Sequence, residues 1–294
     1  MMILQLAIDA FSLGVLYALV ATGLALLFGV MRLINLAHGE LFTAGAYSLT
    51  LTAAWATGAR LAVLLLVVVG LALVLERVAF RPLRNASPAT MLVLTFAIAY
   101  FLQALARLLF TAQGRGVQVL PILNAPVLVG DLRIRMLTLV TAVLGAALLV
   151  GTALFLTRTT TGLQMRAAAA DFETARLLGV DANRVIRAAF LIAALLAAAV
   201  AVILVVQRPT VTPDFGFQIT VIGLISVVVG GLDRLSSGAF GGFLVGAINS
   251  VLGNLLPTDI RVFLTSWLFV AVIALLVLRP QGLFASRDAT AERV

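Results

Sequence analysis

The chain has 294 residues, of which 63% are hydrophobic and 11% charged, and its mean hydropathy is +1.17. A soluble domain carries about 45–50% apolar and about 25% charged residues. This chain therefore cannot clothe a water-facing exterior, and soluble enzymes and disordered chains are excluded. The net charge of +8 rests on 20 basic residues, all arginine, scattered among short loops. That pattern fits membrane orientation and not a nucleic-acid partner. There is no cysteine, hence no disulfide or thiolate metal site, and no lysine with which a P-loop would reach a nucleotide's phosphates.

Nine apolar segments follow in chain order, at roughly 3–29, 37–57, 61–78, 89–110, 136–157, 188–206, 217–232, 238–256 and 261–278. A spanning helix takes roughly 20 apolar residues, so eight or nine spans consume about 160–180. The predicted fold is an all-α polytopic membrane helical bundle, one transmembrane domain over 1–294, with room for broken or re-entrant helices. A β-barrel is excluded because the segments do not alternate apolar and polar residues. No signal peptide is expected at the N-terminus. Polar stretches lie at 76–88, 111–135 and 158–187, with a polar C-terminal tail.

Placing 158–187 in the cytoplasm puts about thirteen arginines inside and about seven outside. The C-terminus is then cytoplasmic and the N-terminus external. A faint echo joins Gly29-Val30-Met31-Arg32-Leu33 to Gly231-Leu232-Asp233-Arg234-Leu235, and chance accounts for it as well as duplication does.

Four constellations carry chemistry. The first is Asn35, His38 and Glu40, in a turn between two apolar segments. Asn35 and Glu40 suit a helix N-terminus as cap and dipole partner. Ionisable groups at membrane depth are instead functional by default, which makes the three a candidate translocation path or gate. One His and one Glu are too few ligands for a metal site.

The second is the external loop with Arg115, Asp131, Arg133 and Arg135, which is either solvated or a docking site for a solute-delivering protein. The third is the alanine-rich run at about 162–180, predicted as one short helix outside the bilayer. Gly179 ends it and Asp181 caps the next helix. Ala168, Phe172 and Ala175 share one face, and Arg166, Asp171, Glu173 and Arg176 provide charge. It is either a solvated interfacial helix or a docking element for a cytoplasmic partner, with Phe172 as anchor. The fourth is small-residue spacing. Gly238, Gly242, Gly246 and Ser250, like Ala10, Gly14, Ala18 and Thr22, recur every four residues. Such stripes let backbones approach closely, within the bundle or at a dimer interface. A substrate-lining role is the lesser alternative.

These residues resemble the LivH-type permease subunits of bacterial branched-chain amino-acid ABC importers. The matching motifs are Phe28-Gly29 through Ile34-Asn35-Leu36-Ala37-His38-Gly39-Glu40, Glu76-Arg77-Val78-Ala79-Phe80-Arg81-Pro82-Leu83-Arg84, Leu177-Leu178-Gly179-Val180-Asp181, and Gly230-Gly231 with Gly238 to Gly242.

The resemblance implies an inner-membrane permease with 162–180 as coupling helix, working by alternating access. The coupling residues would be Arg166, Asp171, Phe172, Glu173, Arg176 and Gly179. Implied partners are a second permease (LivM-type or another copy), two cytoplasmic ATPases and a periplasmic or lipid-anchored binding protein. ATP and Mg would sit on the ATPases, with no cofactor in this chain. Ala170 and the Asp233-to-Ser237 turn depart from the family pattern. Urea, short amides or other amino acids are alternative cargoes. A stand-alone secondary transporter is the rival class, and the near absence of acids within the spans speaks against it.

Overall fold

The computed structural model describes residues 2–84, 86–129, 132–231, 236–279 and 282–283. The segments expected to be apolar are all helical. They form α1 (Met2–Met31), α2 (Gly39–Leu51), α3 (Thr57–Leu75), α4 (Pro88–Phe110), α5 (Met136–Arg158), α8 (Ala182–Gln207), α9 (Phe217–Gly230), α10 (Ser237–Leu255) and α11 (Leu264–Leu278). Between α5 and α8 lie α6 (Thr160–Ala170) and α7 (Phe172–Leu177). Among the described residues, seven helices are long and apolar enough to cross a membrane.

The two short members set the architecture. α2 and α9 have 13 and 14 residues, about 20 Å at 1.5 Å per residue, against a hydrocarbon core about 30 Å thick. Each follows a long helix through a non-helical return. After α1 the chain runs through Arg32, in the left-handed region at φ 52°, and a 3-10 turn at Leu36–His38. His38 lies against Gly23, about 12 Å back along α1 from its end. After α8 the return passes β4 (Thr210–Val211), which pairs antiparallel with β1 (Arg115–Gly116).

Tertiary ties sort the loops and the ends of the long helices between two faces. On the first face, the Arg32 guanidinium donates to Ala169 O of α6 at 2.6 Å, and Arg84 donates to Asn183 Oδ1 of α8 at 2.5 Å. On the second, buried Arg60 of α3 donates to Leu49 O of α2 at 3.3 Å and to Gln118 O of the 111–135 loop. That loop also carries the hairpin of β2 (Pro126–Val129) and β3 (Leu132–Arg135). Arg115 sits over the Phe110 ring at 5.3 Å, Arg133 and Arg135 are exposed, and Asp131 falls outside the described residues.

Traced this way, α1–α4 and α8–α11 have the same plan run in opposite directions: long span, half-helix, two further spans. This is the layout of an inverted-topology repeat. It makes Gly39 and Gly216 equivalent, 177 residues apart. The sequence echo, by contrast, joins the end of α1 to the end of α9, which are not equivalent places. Its residues 232–235, with Asp233, lie outside the described residues.

α1 is apolar all round and is the central, buried helix. α10 packs along it antiparallel, and the two small-residue stripes meet there. A Cβ on Gly242 would lie 2.5 Å from Tyr17 O and 2.7 Å from Ala18 Cα. One on Gly238 would lie 2.6 Å from Ala25 Cβ, and one on Gly14 would lie 2.9 Å from Phe243 O. Gly246 likewise abuts Leu13 and Gly14. The stripes thus lie inside one subunit and not on a surface for a second copy. Because backbone cannot yield as a side chain can, Gly242→Val is expected to destabilise the bundle by about 3 kcal/mol or more. Gly58, where an added methyl group would have no atom within 4 Å, provides the control. Thermal unfolding in detergent should show a large drop for Gly242→Val and none for Gly58→Ala.

Candidate functional site

Two regions gather the candidate residues, the elbow on the first face and the centre of the bundle. At the elbow the alanine-rich run is two helices and not one. Asp171 breaks it, because its carboxylate offers the backbone a better partner than continued helix. Asp171 Oδ1 accepts from Glu173 N and Thr174 N, both at 3.0 Å, and Oδ2 accepts from the Thr174 hydroxyl at 2.5 Å. The Thr174 hydroxyl and these N–H groups hold the Asp171 carboxyl below the usual carboxylate range. Gly179 ends α7 at φ 89°, and Asp181 caps α8 through Asn183 N and Arg184 N.

This double cap fixes the elbow's outward residues. Arg166, Asp171, Glu173, Arg176 and Gly179 are exposed, whereas Ala168 and Ala175 are buried. Phe172, expected to face a partner, is half-buried against the bundle's own core. The most exposed apolar side chains of the elbow are Leu177 and Leu178, 88% and 82% exposed. Sequence reading missed their role. The signal was two adjacent leucines just before a helix-ending glycine in a polar loop.

At the centre, Asn35, His38 and Glu40 are all buried. Asn35 precedes the 3-10 turn but makes no capping bond, so the expected cap does not form. Its Oδ1 and His38 Nδ1 are buried without a hydrogen-bond partner among the described residues. The His38 ring meets Phe42 edge-on at 5.1 Å. Glu40 sits in the first turn of α2, where the helix dipole favours a carboxylate. Its Oε1 accepts from Gln103 Nε2 of α4 at 2.8 Å, and Arg107 and Asp214 are within electrostatic reach. α4 is also tied to the return before α2, since Thr95 Oγ1 donates to Ile34 O at 3.2 Å.

The half-helices meet here by their N-termini. Gly216 N donates to Thr43 Oγ1 at 3.0 Å. Thr43 Oγ1 lies 3.3 Å from Gly39 O, and the Thr220 hydroxyl donates to Gly216 O at 2.8 Å. A methyl on Gly216 would overlap Gly39 O, and one on Gly39 would overlap Thr220 Oγ1. Each half-helix thus begins with Gly-x-x-x-Thr: Thr43 accepts the hydrogen bond that clasps the two together, and Thr220 packs against Gly39. Thr43, Gln103, Gly216 and Thr220 were not singled out from sequence. The repeated Gly-x-x-x-Thr was visible there, but the Glu40–Gln103 pairing across 63 positions was not. Among the described residues no group of three or more His, Asp or Glu is placed to hold a metal.

Paired half-helices inside a polytopic bundle define a membrane transport protein. The family described as "Branched-chain amino acid transport system / permease component" matches residues 6–278. The chain belongs to that family of multi-pass permease components. It is 27% identical over 296 residues to the high-affinity branched-chain amino acid transport system permease protein BraD of Pseudomonas aeruginosa, covering 95% of each chain. It is 28% identical over 298 residues to the permease protein LivH of the corresponding system in Escherichia coli K12, covering 95% of this chain and 94% of the relative. The LivH protein of Salmonella typhimurium matches to the same extent. No solved structure matches significantly.

Proposed function

We propose that this chain is the path-forming subunit of an ATP-driven importer of branched-chain amino acids in a bacterial inner membrane. The observation that carries the reading is the α6–α7 elbow, which extends from a bundle otherwise suited to lipid and presents Leu177 and Leu178 among charges. Exposed leucines on a polar element are what a protein partner buries. Cytoplasmic ATPases that bind ATP and Mg would seat the elbow, which places the elbow face and the C-terminus inside. A substrate-binding protein would dock on the hairpin face, and a second permease of LivM type, or a second copy, would complete the path. Arg166, Asp171, Glu173, Arg176 and Gly179 set the elbow's charge and shape, with Phe172 anchoring it to the bundle.

Alternating access would then work through the centre. Asn35, His38 and Glu40 lie where the two half-helices abut, and polar groups left unpaired at that depth mark a place that rearranges. The permease names of the relatives support an amino acid as cargo. Uptake assays on the complex assembled with its ATPases and binding protein should show ATP-dependent accumulation of L-leucine, L-isoleucine and L-valine. Accumulation of urea or acetamide with no leucine uptake would contradict this reading.

A further inference from the structure

A cavity of about 460 Å³ opens between α1, α8, α9, α10 and α11 in the half of the bundle nearer the hairpin face. That volume falls in the range of about 300–1,000 Å³ typical of small-molecule sites. Its apolar wall includes Leu13, Leu16, Leu204, Leu268 and Phe269. Against this wall a few polar groups converge. Asn249 Nδ2 donates to the Tyr17 hydroxyl at 2.6 Å, which leaves the phenol proton free to donate and Asn249 Oδ1 free to accept. Arg208 is the one charged residue among the described lining, and it is within electrostatic reach of the Tyr17 hydroxyl. Phe217, Gln218 and Ile219, from the first turn of the half-helix α9, complete that side. The positive end of a discontinuous helix thus adds to the arginine.

The geometry points to a solute site within this single subunit, taking a small amphipathic α-amino acid. Arg208 and the N-terminal end of α9 receive its carboxylate. Asn249 Oδ1 accepts from its ammonium group, and the leucines with Phe269 hold its alkyl side chain. A donor-rich lining without an acid selects a carboxylate over a cation, and the apolar wall selects a branched chain over a polar one. The inference rests on the reading of the chain as an amino-acid permease, and it assigns the binding groups to residues of one protomer.

The absence of cysteine from the chain supplies the test. Thr265→Cys and, separately, Gln218→Cys introduce single thiols into the lining. Their labelling by a maleimide is followed on this subunit in the complete complex in nanodiscs. L-leucine is expected to slow labelling of both severalfold, and Arg208→Gln to raise the leucine concentration needed for that protection about tenfold. That shift is the effect of losing one charge-assisted hydrogen bond. Leu268→Trp, which fills the cavity, should abolish protection without touching the outer surface.

If the wild-type complex transports leucine but leucine protects neither thiol, the site is refuted and the permease reading stands. Labelling that responds to lipid chain length and not to leucine assigns the cavity to an acyl chain and equally refutes it. A wild-type complex that transports no amino acid overturns both readings.

Discussion

Replacing Leu177 and Leu178 together by aspartate is expected to uncouple the importer while leaving the bundle folded. Both side chains are almost fully exposed, so no core contact is lost and the unfolding temperature should not move. What is lost is the apolar patch of the elbow. Truncating a pair of central interface anchors typically costs about 2–4 kcal/mol, roughly a 30- to 1,000-fold weaker seat for the ATPase. Leucine uptake should therefore fall more than about tenfold, with loss of the ATPase stimulation that loaded binding protein produces. Phe172→Asp should behave differently. Its ring packs on the core, so that change should lower stability as well as coupling. Comparing the two by thermal unfolding and ATPase assay separates an outward anchor from an inward one.

Gly216→Val is expected to have the second large effect, at the centre. Its Cβ would overlap Gly39 O and lie 2.9 Å from Thr43 Oγ1. The main clash is of the new side chain with the Gly39 carbonyl, which is backbone, so neither half-helix can relax without separating from the other. Overpacking of this kind costs about 1–3 kcal/mol where neighbours adjust, and more where they cannot. Thr43 provides a gentler probe. Thr43→Val leaves Gly216 N buried without its acceptor, a penalty of about 1–3 kcal/mol, whereas Thr43→Ser keeps the oxygen. Thermal unfolding and leucine uptake should both fall for Thr43→Val and both be restored by serine. Equal loss in the two variants would mean that the methyl group, and not the clasp, matters.

The sequence made the helices legible because lipid demands long apolar runs, and each such run is a helix. It did not reveal that the run at 37–57 holds a helix of only 13 residues. Thr52 to Ala56 are apolar enough to continue a span, and composition cannot register the turn there. The same limit hid the break at Asp171, since alanine on either side favours helix and only the capping geometry decides against it. Phe172 reads as outward-facing from sequence because a helix between two spans gives no periodic clue to which side is inward. The glycine stripes of α1 and α10 were readable as close-packing surfaces. That they pack on each other, more than 200 residues apart in sequence, is a fact of topology. Asn35, His38 and Glu40 stood out as polar residues in an apolar stretch, but their depth depended on the return after Arg32, which no local pattern encodes.

The central claim is that this chain supplies a path and borrows its energy. It is tested most directly by leucine uptake into proteoliposomes under two conditions. One preparation holds the full complex, with ATP trapped inside and the binding protein outside. The other holds this chain alone under an imposed proton or sodium gradient. The account predicts accumulation in the first, abolished by Leu177→Asp with Leu178→Asp, and none in the second. Accumulation driven by the ion gradient in the chain alone would contradict it.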